Sequence, residues 1–242
     1  VSLVSIENVE ARHGLLSAVR DVSLAIGERE IVALVGANGA GKTTLLRTIA
    51  GAHRPVSGRI TFDGTDVTGL RANRRARLGI ALVPEGRRLF GDLTVEENLR
   101  VAGGTGRDGP WNFERVLEAF PMLKPLVKRR SGDLSGGQQQ ATAIGRALML
   151  NPRVLLLDEV SLGLSPVAVN VVYESLQIVI DSGATIVLVE QDLSRALRTA
   201  TRVACMLEGR IVLDEPASSV TRDRVTEAYF GLRRGEAGAR AS

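Results

Sequence analysis

The sequence predicts an α/β protein with a parallel-sheet core, an N-terminal antiparallel β-subdomain and an inserted helical subdomain. Three observations carry this reading. From Val154 to Leu207, short apolar runs alternate with helical segments, the pattern of a parallel sheet with helical crossovers. Two segments near the start, about Leu3 to Val9 and Val19 to Ile26, read as antiparallel strands. From about Thr94 to Leu148 the strand signal fades and helices take its place.

Taken in order, the two N-terminal strands are followed by a short buried strand, Ile31 to Val35. A helix from Lys42 to about Ala50 turns Leu45, Leu46 and Ile49 inward, and Gly51, Pro55 and Gly58 punctuate its end. Arg59 to Phe62 alternates like an edge strand, and Asp63-Gly64 suits a tight turn. Ile80 to Val83 is a further buried strand. Thr94 caps a helix, with Glu97 at capping-box spacing. The loop GGTGRDGP leads to helical segments near Trp111 to Phe120 and Gly136 to Leu150. The core then resumes with strand Val154–Leu157, helix Val167–Asp181, strand Thr185–Val189, helix Leu193–Thr199 and strand Arg202–Leu207. One domain is expected over residues 1–232, with the helical subdomain at about 94–150. The polar tail 233–242 is expected to be disordered.

Composition narrows the class. The 242 residues suffice for one sizeable α/β domain with a smaller subdomain, and an apolar content of 44% fits a globular protein. Apolar runs such as Val154 to Leu157 and Ile186 to Val189 are far too short to cross a bilayer. The first ten residues lack a basic region followed by an apolar stretch, so no signal peptide is expected. The single cysteine, Cys205, excludes an internal disulfide and reads as a small buried strand residue. The net charge of +4 is carried almost wholly by arginine, since only Lys42, Lys124 and Lys128 are lysines. The groups Arg71/Arg74/Arg75/Arg77, Arg87/Arg88 and Lys128/Arg129/Arg130 are scattered and have no interleaved aromatics. They read as solvated faces, and no nucleic-acid partner is expected. His53 reads as a helix-end residue, and Trp111 as a packing or anchoring group.

Three segments carry chemistry. Gly36 to Thr43 reads GANGAGKT, between a buried strand and a helix. Glycines at Gly36, Gly39 and Gly41 let backbone N–H groups face phosphate oxygens, and the helix N-terminus adds its dipole. Lys42 supplies a point charge, and the Thr43 hydroxyl suits Mg²⁺. Asp158 ends the apolar strand VLLLD, where ligands bind in open α/β sheets, and can hold Mg²⁺ through a water. Glu159 follows it and can orient or deprotonate an attacking water. Leu134 to Gln138, LSGGQ, opens another helix: Ser135 is an N-cap type, and Gly136 and Gly137 permit a phosphate to approach. One chain thus has two anion-binding helix starts and one lysine, so the second completes a partner's site.

In this order the segments resemble the Walker A, signature and Walker B motifs of ATP-binding-cassette (ABC) transporter subunits, over about residues 3–232. VPEGRRLF (Val83 to Phe90), TVEENL, SLGLSP and VEQD narrow the likeness to branched-chain amino acid importer ATPases. The resemblance implies a P-loop NTPase fold and a head-to-tail dimer, homo- or heteromeric. ATP and Mg²⁺ would be sandwiched between Walker A of one chain, including Asn38 and Thr44, and Ser135, Gly136, Gly137 and Gln138 of the other. It also implies two transmembrane permeases, a solute-binding protein, and a peripheral position on the cytoplasmic face of the cell membrane. Glu85 stands at the family's metal-side Q-loop position, Gln191 at its catalytic switch histidine and His13 at its adenine-stacking aromatic. The subgroup's proline after the Walker B glutamate is Val160 here. Urea, amides or other amino acids are alternative cargoes. A soluble, non-transport cassette is the alternative of another class, but those usually have paired cassettes or coiled-coil insertions. The chain has no guanine-reading Asn-Lys-x-Asp, which argues against a GTPase.

Overall fold

The computed structural model describes residues 2–104 and 107–230; the tail expected at 233–242, and part of the GGTGRDGP loop, lie outside them. Strands β1 (Ser2–His13) and β2 (Leu16–Gly27) form an antiparallel hairpin. Both run further than their sequence pattern suggests. Register shifts after Ile6, Val9 and Ala11 break the in–out alternation, so the bulged ends lose the period-2 signal. β4 (Ser57–Phe62) pairs with β1, and a two-residue β5 (Thr65–Asp66) pairs with β4, giving the order β2-β1-β4-β5. The expected edge strand is therefore covered on its outer side. The intervening Asp63 and Gly64 both have positive φ, 51° and 73°, as a tight hairpin turn requires.

The second sheet has the order β10-β9-β3-β8-β7-β6. Strands β3 (Ile31–Val35), β6 (Ile80–Val83), β7 (Val154–Asp158), β8 (Thr185–Val189) and β9 (Arg202–Leu207) are parallel. Every residue of β3, β7 and β8 is buried, which explains their unbroken apolar runs. Alternate side chains serve opposite faces. Leu34, Leu156 and Val187 pack toward the antiparallel sheet and α1 (Lys42–Ile49), while Leu155, Leu157 and Leu188 pack under the helices. Those helices are α3 (Val95–Gly103), α4 (Phe113–Ala119), α5 (Gly136–Leu148) and α6 (Pro166–Asp181). Cys205 is buried in β9 and Trp111 is buried among the helices. No helix among the described residues is long and apolar enough to cross a membrane.

Helix α7 (Leu193–Thr199) lies where expected, whereas α2 (Ala72–Leu78), β10 (Arg210–Pro216) and α8 (Arg222–Phe230) escape the sequence reading, as does β5. α2 corrects an expectation, because Arg75 is not on a solvated face. It is 1% exposed, and its guanidinium donates to the carbonyls of Leu70, Thr48, Ile49 and Thr68 at 2.8–3.0 Å. Burial pushes its pKa down to about 10. The chain thus uses one arginine to satisfy the carbonyls at the end of α1 and in the loop beyond β5.

Candidate nucleotide site

The loop between β3 and α1 is shaped by contacts with both sheets. Gly36 has φ 147°, and a Cβ there would meet the Met206 carbonyl oxygen at 2.2 Å. Gly41 has φ 104°, and its Cβ would meet the Ala18 carbonyl oxygen at 2.1 Å. Side chains are excluded at both positions by conformation and by backbone contact. Lys42, 4% exposed, folds back along the loop and donates from Nζ to the carbonyls of Gly36 at 2.8 Å and Ala37 at 2.9 Å. Burial lowers its pKa, against the opposing pull of Glu159 and Asp158.

A cleft of about 470 Å³ opens over this loop. His13, Asn38, Gly39, Gly41, Lys42, Thr43, Thr44, Glu85, Glu159 and Gln191 line it, together with Leu16, Ala18 and Leu162. The structure therefore brings together residues separated by up to most of the chain. His13, at the end of β1, has Nε2 3.1 Å from Thr44 Oγ1, and its ring lies 4.7 Å from that of His53 at a 50° tilt. Thr43 Oγ1 donates to Asp158 Oδ1 at 2.9 Å. Asp158 is 1% exposed, and its second oxygen has no hydrogen-bond partner. Burial raises its pKa, opposed by the Thr43 hydroxyl and reinforced by Glu159. Glu159 takes the left-handed conformation, φ 49°, and its Oε2 accepts from Gln191 Nε2 at 2.8 Å. Val160 is fully buried in the core beneath the helices.

This donor set suits a hard divalent cation. A buried carboxylate oxygen without a partner, a threonine hydroxyl beside it and Glu85 on the same cleft are all oxygen donors. No cluster of three or more His, Cys, Asp or Glu positioned for a metal occurs among the described residues. The protein would therefore supply only part of the coordination, leaving the rest to phosphate and water, as Mg²⁺ prefers.

Ser135, Gly136, Gly137 and Gln138 are not among the residues lining the cleft. They start α5, where Ser135 and Gln138 form a capping box: Ser135 Oγ accepts from the Gln138 N–H, and Gln138 Oε1 accepts from the Ser135 N–H at 2.9 Å. Ser135 is exposed, whereas Gly137 is buried against Ala168 of α6. Sequence reasoning also missed Glu190, which is buried directly before Gln191 and hydrogen-bonds Ser161 and Tyr173. Its signal was an acid placed straight after the apolar run Ile186 to Val189, as Asp158 is after Val154 to Leu157.

Residues 19–161 match the family described as ABC transporter. The chain is 44% identical to the high-affinity branched-chain amino acid transport ATP-binding protein BraG of Pseudomonas aeruginosa, covering 95% of this chain and 100% of that protein. It is 37% identical to a probable branched-chain amino acid transport ATP-binding protein, LivF, of Archaeoglobus fulgidus, covering 83% and 86%. Among solved structures it resembles a dimeric post-hydrolysis state of an ATP-binding cassette bound to ADP and Pi. There the TM-score is 0.76 at 26% identity, covering 88% of this chain and 98% of that one.

Proposed function

The chain belongs to the ABC transporter family as an ATP-hydrolysing cassette, and from that premise we propose that it powers import of branched-chain, hydrophobic amino acids. The cargo reading is supported by the match to BraG along that protein's whole length. The observation that carries the mechanism is the meeting of a lysine-bearing phosphate cradle with Glu159 and Gln191 in one cleft.

In this reading the N–H groups of Gly36 to Thr44, with Asn38 and Gly39 at the rim, cradle the phosphates, and Lys42 neutralises the outer ones. His13 stacks on the adenine. Thr43, Asp158 and Glu85 would hold Mg²⁺, which would neutralise phosphate charge. Glu159 accepts a proton from the attacking water, and Gln191 fixes the orientation of Glu159 and contacts the γ-phosphate. Ser135, Gly136, Gly137 and Gln138 complete the site of a second cassette, identical or not. ATP gripped by both chains closes the pair, and loss of the γ-phosphate reopens it.

The folding unit is one ATPase domain over residues 1–232, with the helices of about 94–150 inserted in its core. It sits peripherally on the cytoplasmic face of the membrane against two permeases, which a solute-binding protein supplies. An apolar groove supports the permease contact. Ala76, Leu82, Pro84, Val101 and Ala147 line it, and Phe90, 53% exposed, stands in it beneath the Arg146 guanidinium at 5.5 Å.

The test uses the Glu159→Gln chain, with Mg-ATP, to capture partners from solubilised native membranes. Two polytopic permeases in the eluate are expected, together with ATP turnover at least about a hundredfold below the parent chain. Ribosomes or nucleic acid without any membrane protein would replace this reading with that of a soluble cassette.

A further inference from the structure

Glu190, immediately after β8, has no role in the scheme above. It is 1% exposed, and donors from three parts of the chain converge on its carboxylate. Oε2 accepts from the Ser161 hydroxyl at 3.1 Å, the Gln191 N–H at 3.2 Å and the Asp192 N–H at 3.5 Å. Oε1 accepts from the Tyr173 hydroxyl of α6. The Arg195 guanidinium covers the Tyr173 ring at 5.0 Å. Burial and the facing carboxylate raise the Tyr173 pKa far above the ordinary phenol range, so the hydroxyl stays a donor.

These contacts close a ring. Gln191 Nε2 bonds Glu159 Oε2 at 2.8 Å. Gln191 is joined through the chain to Glu190, Glu190 bonds Ser161, and Ser161 leads back through Val160 to Glu159. Within it Glu159 keeps φ 49°, a conformation that a non-glycine residue holds only when its surroundings over-determine it. Two loops after neighbouring strands thus share a single buried anchor. We propose that Glu190 is the positioning residue that sets Glu159 against Gln191, by tying the loop after β7 to the loop after β8 and both to Tyr173.

The inference rests on the roles proposed for Glu159 and Gln191, and it is specific about chemistry. What matters is hydrogen-bond acceptance at Oε2 rather than charge. A glutamine at this position can accept from Ser161 and the Gln191 N–H through its amide oxygen while its NH₂ faces the Tyr173 oxygen. A methyl group can do neither.

The experiment measures ATP turnover and fluorescent-nucleotide affinity of the full chain carrying Glu190→Ala, Glu190→Gln, Tyr173→Phe or Ser161→Ala. Glu190→Ala should lower kcat by at least about tenfold, because small misplacements of reacting groups are costly, with KM and nucleotide Kd within about twofold of the parent. Glu190→Gln should recover most of the loss. Combining Ser161→Ala with Glu190→Ala should do no more damage than Glu190→Ala alone, since both cut the same ring. Tyr173→Phe, which removes one donor and little volume, should lower kcat in the same direction and guards against a Glu190→Ala chain that fails to fold. Parental kcat in Glu190→Ala overturns the proposal if Glu159→Gln is inactive beside it. Equal losses in kcat and affinity overturn it too, by showing general damage to the cleft. If Glu159→Gln itself turns over at the parent rate, the reading beneath the proposal falls and the proposal falls with it.

Discussion

At Asp158 the requirement for charge opposes the cost of burial. Its carboxyl sits above the ordinary aspartate range because it is buried, with Thr43 as its one hydrogen-bond partner. A folded-state pKa raised above the unfolded value favours folding at pH below both, and that advantage is lost as pH rises through the folded value. Above that value and without metal, the ionised group therefore works against the fold. Asp158→Asn, which keeps an acceptor for Thr43, should melt at or above the parent temperature in nucleotide-free, metal-free buffer. The difference should vanish on acidification, and Mg-ATP should reverse the order. Thermal melts across pH check this, and a variant melting well below the parent at neutral pH without metal would sink it. The role expected for Asp158 could be read from sequence because an acid ending an apolar run is conspicuous. Arg75 could not, since a buried and an exposed arginine are the same letter and only the carbonyls gathered around it tell them apart.

Among the elements, those that sit in the middle of the core were the most legible. β3, β8 and β9 lie where their apolar runs put them, as does β6, an edge strand whose residues are nearly all buried, and the capping box at Thr94 and Glu97 forms as its spacing requires. β10 and α8 were missed because they lie at the periphery of the sheet and alternate charged with apolar residues only loosely. A further element-level feature links α3 to the groove proposed for the permeases. Asn98 is fully buried; its Nδ2 faces Ser131 Oγ at 2.8 Å and the carbonyls of Phe90 and Thr94 at 3.0 Å, and its Oδ1 accepts from the Phe90 N–H at 3.0 Å. One side chain on α3 therefore holds the loop that presents Phe90. Asn98→Leu should cost about 2–4 kcal/mol in urea unfolding, because buried polar groups lose their partner. Amide exchange at Phe90 should quicken more than exchange in β7. Exchange that rises equally in both would argue that Asn98 supports the fold as a whole rather than this loop.

For the whole molecule, the signature segment lies outside the residues that line the cleft. Mixing tests whether two copies of this chain complete one another. Ser135→Arg should leave nucleotide affinity near the parent value and abolish turnover, and Lys42→Ala should abolish turnover through loss of the phosphate contact. An equimolar mixture should regain activity, because a mixed pair contains one cleft with both halves intact. Failure to regain it, with each parent chain folded, would point to a different second cassette. The expectation of a second chain comes from the sequence, where two anion-binding helix starts meet one lysine. The packing of Gly137 on Ala168 was not legible there, because it is a tertiary contact. The phosphate loop carries one more consequence. Gly36 abuts the backbone of Met206 in β9, and Gly41 abuts that of Ala18 in β2, so the loop's shape exists only once both sheets have docked. Nucleotide binding and sheet docking are then thermodynamically linked. A ligand at a hundred times its Kd holds the docked state by about 2.7 kcal/mol, which makes ATP, besides the fuel of this chain, a determinant of how much of it stays folded.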